Sequence, residues 1–169
     1  MQLKIQRSWA MPNRQTFKIK PIDEFIRANL RPGFILDPFA HRRSDYGAIT
    51  NDINPDADTD FHMDALKWLK LHPDNSVDTV LFDPPYSLRQ LKECYDGIGQ
   101  AITHHQTKHF FSDLKNEIAR VLEPEGVCLS FGWNSVGLGN SRGFDLVEIL
   151  LVSHGGIHND TMCLKEVKR

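Results

Sequence analysis

The densest chemistry in the sequence lies in Leu81-Phe82-Asp83-Pro84-Pro85-Tyr86-Ser87. Two prolines directly after an apolar run fix the backbone and remove two N–H donors. Carbonyl oxygens and one carboxylate are left facing a small region. Acceptors without competing donors suit a neutral aromatic amine, whose lone pair is delocalised into its ring and which is therefore a poor nucleophile. If the Asp83 carboxylate and the Pro84 carbonyl each accept one of its N–H groups, the nitrogen is steered towards tetrahedral geometry. Its lone pair then aims at an incoming carbon, a gain that comes from orientation. Tyr86 offers a face on which a base can stack. A base paired within a duplex cannot reach such a site, so its substrate would be extruded or single-stranded. Asp-Pro-Pro is also good turn chemistry, and its setting in the chain decides between the two readings.

That setting is a repeated one. Phe34-Ile35-Leu36 ends at Asp37-Pro38, Gly47-Ala48-Ile49-Thr50-Asn51 ends at Asp52, and Val77 to Phe82 ends at Asp83-Pro84. Short apolar runs that each release an acid predict buried parallel strands in an open sheet, with ligands beyond its carboxyl edge. Pro21 to Leu30 places apolar residues at 22, 25, 26 and 30, which predicts an amphipathic helix started by Pro21 and stopped by Pro32-Gly33. Met63 to Leu71 reads as a short helix with Leu66, Leu69 and either Ala65 or Trp68 inward, ended by His72-Pro73-Asp74-Asn75. Phe110 to Leu122 reads as a second amphipathic helix, closed by Glu123-Pro124-Glu125-Gly126 before a strand over Val127 to Gly132. Phe144 to Ser153 and Thr161 to Val167 are β-rich and joined by His154 to Asp160, a hairpin pattern. The predicted fold is α/β: a Rossmann-like, open, twisted and mostly parallel sheet with a C-terminal antiparallel hairpin and helices on both faces. A single domain covers residues 1–169.

Composition sets the outer bounds. With 169 residues, 40% hydrophobic and 25% charged, the chain can bury one core without disulfide or metal support. No apolar run approaches the roughly 20 residues of a bilayer span, and Lys4, Arg7 and Trp9 interrupt any leader, so the expected location is the cytoplasm. Cys94, Cys128 and Cys163 lie too far apart for a disulfide framework or a metal knuckle and read as reduced, mostly buried thiols. His104, His105 and His109, and His154 with His158, lack acidic or cysteine ligands at fixed offsets, so no metal is expected. The net charge of -2 hides an uneven distribution: residues 1–43 carry nine Lys or Arg against three acids, and residues 44–66 carry six acids and no Lys or Arg. The first stretch could meet phosphates and the second hydroxyls and amines, against the alternative of an ordinary solvated surface.

Taken in order, these elements resemble the S-adenosylmethionine-dependent DNA amino-methyltransferases, which modify N6 of adenine or N4 of cytosine. Ile35-Leu36-Asp37-Pro38-Phe39-Ala40 is similar to their cofactor motif, an apolar strand ending in Asp-Pro-Phe. Asn51-Asp52-Ile53-Asn54-Pro55 looks like the end of their next strand, with Asp52 as the acid that binds the ribose diol. Asp64-Ala65-Leu66 resembles the segment that holds the cofactor adenine. Trp9-Ala10-Met11-Pro12-Asn13 and Thr16 to Ile22 resemble the motif before the first strand, with Phe17 as its aromatic. The resemblance runs from about residue 9 to about residue 135. It implies S-adenosylmethionine as cofactor, bound by Phe17, Asp37, Pro38, Phe39, Ala40, Asp52, Ile53, Asp64 and Ala65. It also implies Asp83, Pro84, Pro85 and Tyr86 as the catalytic set, and nucleic acid as partner, with DNA ahead of RNA and adenine N6 ahead of cytosine N4.

Two departures follow from the same comparison. Where the family has glycines after Asp-Pro-Phe-Ala, this chain continues His41-Arg42-Arg43-Ser44, so the loop must take another path, and Arg42 or Arg43 could pair with the cofactor carboxylate or a phosphate. No sequence-reading region fits into the chain, which leaves a second copy or a separate specificity subunit to supply one. The extra segment, Leu88 to Lys108, reads as a lid over the extruded base, with Arg89 and Lys92 near phosphate. Trp133 or Asn134 is a candidate contact to that base. Two other functions fit the same residues: an RNA methyltransferase acting on a base amine such as guanine N2, and a binding protein that keeps the fold without turnover.

Overall fold

Asp37, Asp52 and Asp83 come to one edge because the strands that carry them run parallel. The structure, a computed structural model, describes residues 2–99 and 104–169, of which 104–106 are described by backbone alone. The strands are β1 (Lys4–Trp9), β2 (Ile35–Asp37), β3 (Ile49–Thr50), β4 (Val77–Phe82), β5 (Leu122–Gly132), β6 (Phe144–Ser153) and β7 (Thr161–Lys168). They form one sheet in the order β1-β6-β7-β5-β4-β2-β3. Strand β7 runs antiparallel to β5 and β6, and every other neighbouring pair is parallel. This is the predicted Rossmann-like topology with its C-terminal hairpin.

Alternation along the strands splits the core into two layers. Leu36, Val80, Phe82 and Cys128 face one layer, shared with α2 (Ala65–Leu69), α3 (Leu88–Gly97) and α4 (His104–Val121). Ile35, Leu81, Leu129 and Phe131 face the other, against Ile22, Phe25 and Ile26 of α1 (Lys20–Asn29). Each such side chain contributes about 1.5–3 kcal/mol when fully buried. No helix among the described residues is long and apolar enough to cross a membrane.

The structure corrects several local expectations. Strand β1 lies outside any expected strand: it is an edge strand, exposed over most of its length, so burial imposes little alternation on its sequence. Helix α4 ends at Val121, and β5 begins at Leu122 and runs through Glu123-Pro124-Glu125-Gly126. That stretch is a bulge, because Leu122 pairs with Val77 and the ladder resumes only at Val127 with Thr79. Helix α2 buries Ala65, Trp68 and Leu69, and Leu66 packs partly buried against the same core.

The turn into β2 depends on Gly33. Its φ of 135° belongs to glycine, and a Cβ there would lie 1.9 Å from the Asp78 carboxylate. That carboxylate accepts the Phe34 N–H at 2.8 Å and pairs with Arg31, so it cannot move aside cheaply. Gly33→Ala is expected to cost at least about 2 kcal/mol, from strain and the lost turn together. Urea denaturation checks this, and a loss below about 0.5 kcal/mol would contradict the assignment.

Candidate active site

Beyond the carboxyl edge lies a cavity of about 660 Å³. It is lined by Pro38, Phe39, Asp52, Ile53 and Ala65, and by Asp83, Pro84, Pro85 and Tyr86. Most of the residues expected to bind a cofactor therefore share one wall system with the whole expected catalytic set. A smaller adjoining cavity of about 50 Å³ is lined by Phe17, Asp37, Phe39 and Ala40 and shares Thr16, His41 and Asp83 with the larger one. Phe17 packs against Phe131 at 4.8 Å and Tyr46 at 6.1 Å, which places it on the floor of the small cavity. Asp64 lines neither. One of its oxygens caps α2 by accepting the Lys67 N–H at 3.0 Å, and the other accepts the Tyr95 hydroxyl at 2.6 Å.

At the end of β4, Pro84 and Pro85 present no N–H. The Tyr86 hydroxyl donates to Asp83 Oδ1, and its ring meets Trp133 edge-on at 5.4 Å, so Tyr86 both anchors the carboxyl group and extends an aromatic wall. Burial pushes the Asp83 carboxyl above the usual range, against the pull of the Tyr86 and Thr16 hydroxyls. Burial also raises the Tyr86 phenol, so it remains a donor. The loop then closes on itself: the Tyr86 N–H donates to Gln90 Oε1 at 2.7 Å, and Ser87 caps α3 by accepting the Gln90 N–H at 3.2 Å. Ser87-Leu88-Arg89-Gln90 has the spacing of a capping box, a signal in the sequence that would have found Gln90.

The loop after β2 solves its missing glycines locally. His41 adopts a φ of 53°, a left-handed conformation that histidine tolerates better than most residues. The Asp52 carboxylate secures it, accepting the His41 N–H at 3.2 Å and the Asn54 N–H at 2.8 Å. Asn51 ties the same loops together, donating to the Met63 carbonyl at 2.9 Å and accepting the Met63 N–H at 3.0 Å. Arg43 is committed elsewhere, to Asp58 and Asp60, whereas Arg42 lines the small cavity with Gln15 as its partner. Asp37 is the most strained of the acids: burial, with Asp83 and Asp52 nearby, holds its carboxyl well above the usual range, relieved only by the Phe39 N–H at 3.3 Å.

Other expected positions divide. Trp133 lines the cavity, but Asn134 turns back to accept the Val136 N–H at 3.0 Å. In the expected lid, α3 lays Gln90, Leu91, Cys94 and Tyr95 over the cavity, while residues 100–103 lie outside the described residues. Arg89 pairs with Glu93 on its own helix. Cys128 and Cys163 are buried and Cys94 is exposed. His154 is a buried strut between the Ala10 carbonyl and the Thr161 hydroxyl. The side chains of His104 and His105 lie outside the described residues. No group of three His, Cys, Asp or Glu among the described residues could hold a metal ion.

Comparison with known proteins separates fold from function. No family model matches the chain. Structures similar to it include TrmN from Thermus thermophilus, 18% identical with a TM-score of 0.60 over 89% of this chain and 49% of that one. A methyltransferase homologue from Pyrococcus horikoshii is 12% identical with a TM-score of 0.55 over 85% of this chain and 64% of that one. The chain shares its α/β fold with both structures. A methylase-like protein of Escherichia coli K12, YubD, is 35% identical over 74 residues, 43% of this chain and 31% of that protein. The match spans about a third of this curated relative, and the chain spans about half of the Thermus protein. In open α/β sheets of this kind, ligands bind beyond the carboxyl edge of the strands.

A carboxyl whose folded pKa is raised adds stability below its ordinary value of roughly 3.9 and loses it as the pH climbs through the folded value. Asp37 is such a group. Asp37→Asn should therefore melt above the parent at neutral pH, with the gap closing on acidification towards that ordinary value. Differential scanning calorimetry across the range checks this, and a gap that widens on acidification would contradict it.

Proposed function

We propose that the protein transfers a methyl group from S-adenosylmethionine to an exocyclic amine of a nucleic-acid base, with N6 of adenine in DNA as the leading substrate. The observation that carries this is that Asp52, at the end of β3, and Asp83-Pro84-Pro85-Tyr86, at the end of β4, line one cavity. Its 660 Å³ lies within the usual range for small-molecule sites. The shared fold and the methylase-like relative support methyl transfer, and the motif resemblance supports the amine.

The residues present fit the cofactor. Ile53, Ala65, Leu91 and Phe110 form apolar walls suited to a flat ring. Asp52 has about four acceptor sites and commits only part of them to the loop, leaving capacity for a ribose diol. Bound there, S-adenosylmethionine supplies an electrophilic methyl carbon.

The rest falls to the chain. Pro84 and Pro85 keep competing donors away from the amine, and the Pro84 carbonyl and the Asp83 carboxylate accept its two N–H groups. Thr16 and Tyr86 hold the Asp83 carboxyl in place. The nitrogen sheds a proton as it gains a carbon, and the Asp83 carboxylate is the neighbouring acceptor. Burial raises its proton affinity, which favours that transfer. Tyr86 and Trp133 wall the base with aromatic surface. The loop turns at His41 without glycine, which supports the active reading over a binding protein without turnover.

Purified protein with tritiated S-adenosylmethionine and unmethylated DNA should yield labelled N6-methyladenine. Label appearing in structured RNA and not in DNA would overturn the substrate. Asp83→Ala should lower the rate at least about 100-fold while calorimetry shows cofactor affinity within about threefold of the parent. Loss of both together would show that Asp83 is misassigned. The acid limb of the parent rate profile should lie above the ordinary carboxyl value of roughly 3.9, with activity rising as Asp83 ionises.

A further inference from the structure

The basic N-terminal stretch sorts itself in the structure. Of its nine cations, Lys4, Lys18, Lys20, Arg27, Arg31 and Arg43 each pair with a carboxylate. Arg7, Arg14 and Arg42 have no carboxylate partner among the described residues: Arg7 reaches the Ser153 hydroxyl, Arg42 reaches Gln15, and Arg14 lines the large cavity. All three lie towards the carboxyl edge. Ser153 ends β6, Arg42 follows β2, and Arg14 follows β1.

Aromatic surface collects along the same edge. Trp9, at the end of β1, is 63% exposed, and Trp133, just after β5, is 42% exposed. Their levels match, since Gly132 pairs with Met162, Met162 with Leu151, and Leu151 with Arg7. Trp133 and Trp9 stand one and two residues beyond this shared row. Three strand spacings separate β1 from β5, so the backbones that carry the two indoles lie about 14 Å apart across the sheet. Arg14 lies in the segment that leads from Trp9 to the cavity wall. Unpaired guanidinium groups alternating with exposed aromatic faces are the chemistry of single-stranded nucleic-acid binding, in which cations follow the backbone and rings stack on bases.

We propose that β1 and the segment after it form a track, Arg7, Trp9 and Arg14, that holds a single strand of nucleic acid and feeds one of its bases to the cavity at Tyr86 and Trp133. The inference rests on the proposed base-methylating function and deepens it: the substrate is unpaired, and the strand is held along the sheet edge that leads to the site.

Fluorescence anisotropy with an oligonucleotide of about 12 unpaired nucleotides tests this, as DNA, as RNA and annealed to a complement. Either unpaired form should bind more tightly than the duplex, and the stronger of the two identifies the strand. Trp9→Ala should weaken binding at least about fivefold, and Trp9→Phe should restore most of it. Arg7→Ala and Arg14→Ala should each lower the slope of log affinity against log salt by about 0.7. Duplex binding as tight as single-strand binding, or affinity and salt slope unchanged in the Trp9 and Arg variants, would overturn the track. Melting temperatures within a few degrees of the parent would confirm that the exposed substitutions leave the fold intact. The track and the chemistry fail separately: normal labelling of bases with unaltered variants removes the track alone, and the expected binding pattern without any labelling removes the proposed reaction.

Discussion

Like charges gathered in a poorly hydrated place repel, and each must be neutralised or given its own donors. Parallel strands bring Asp37, Asp52 and Asp83 to one edge, and the surrounding loops are organised around that constraint. Asp52 takes two backbone N–H groups, and Asp83 takes the hydroxyls of Tyr86 and Thr16. Asp37, served by one long N–H contact, is pushed furthest towards its neutral form. Asp83, with two hydroxyl donors, is left beside a ligand-sized space.

The same constraint explains how the loop after β2 does without glycine. A left-handed residue with a side chain costs about 1–2 kcal/mol. At His41 the conformation also turns the N–H towards Asp52, so a strained backbone and a buried carboxylate satisfy each other. Asn51 adds a second tie between this loop and the one before α2. Arg43 goes to Asp58 and Asp60, so much of the acidic central stretch serves the loop's own geometry.

How far the sequence foretells this depends on burial. Strands β2 and β4 are buried on both faces, so their apolar runs and acid tips identify them, and with them Asp37 and Asp83. Strands β6 and β7 are only part-buried, and it is their β-rich runs on either side of the Gly155-Gly156 turn that make the hairpin visible. Strand β1 is exposed, and Arg7 interrupts its apolar residues, so no periodic signal marks it. The bulge at the start of β5 resembles a helix stop because Pro124 and Gly126 serve either purpose. Tyr95 reaching Asp64, and Arg43 reaching Asp58 rather than a ligand, are meetings between distant segments that local pattern does not encode. The proline-rich end of β4 is different. Its chemistry is local, so its residues, its strand placement and its cavity agree.

The central claim is that one cavity orders a cofactor and an amine side by side. A crystal structure with S-adenosylhomocysteine and adenosine tests it most directly. The account predicts the cofactor ribose on Asp52 and the nucleoside amine within hydrogen-bond distance of Asp83 and the Pro84 carbonyl, next to the cofactor sulfur. A cofactor bound away from Asp52, or an amine that meets neither acceptor, would contradict it.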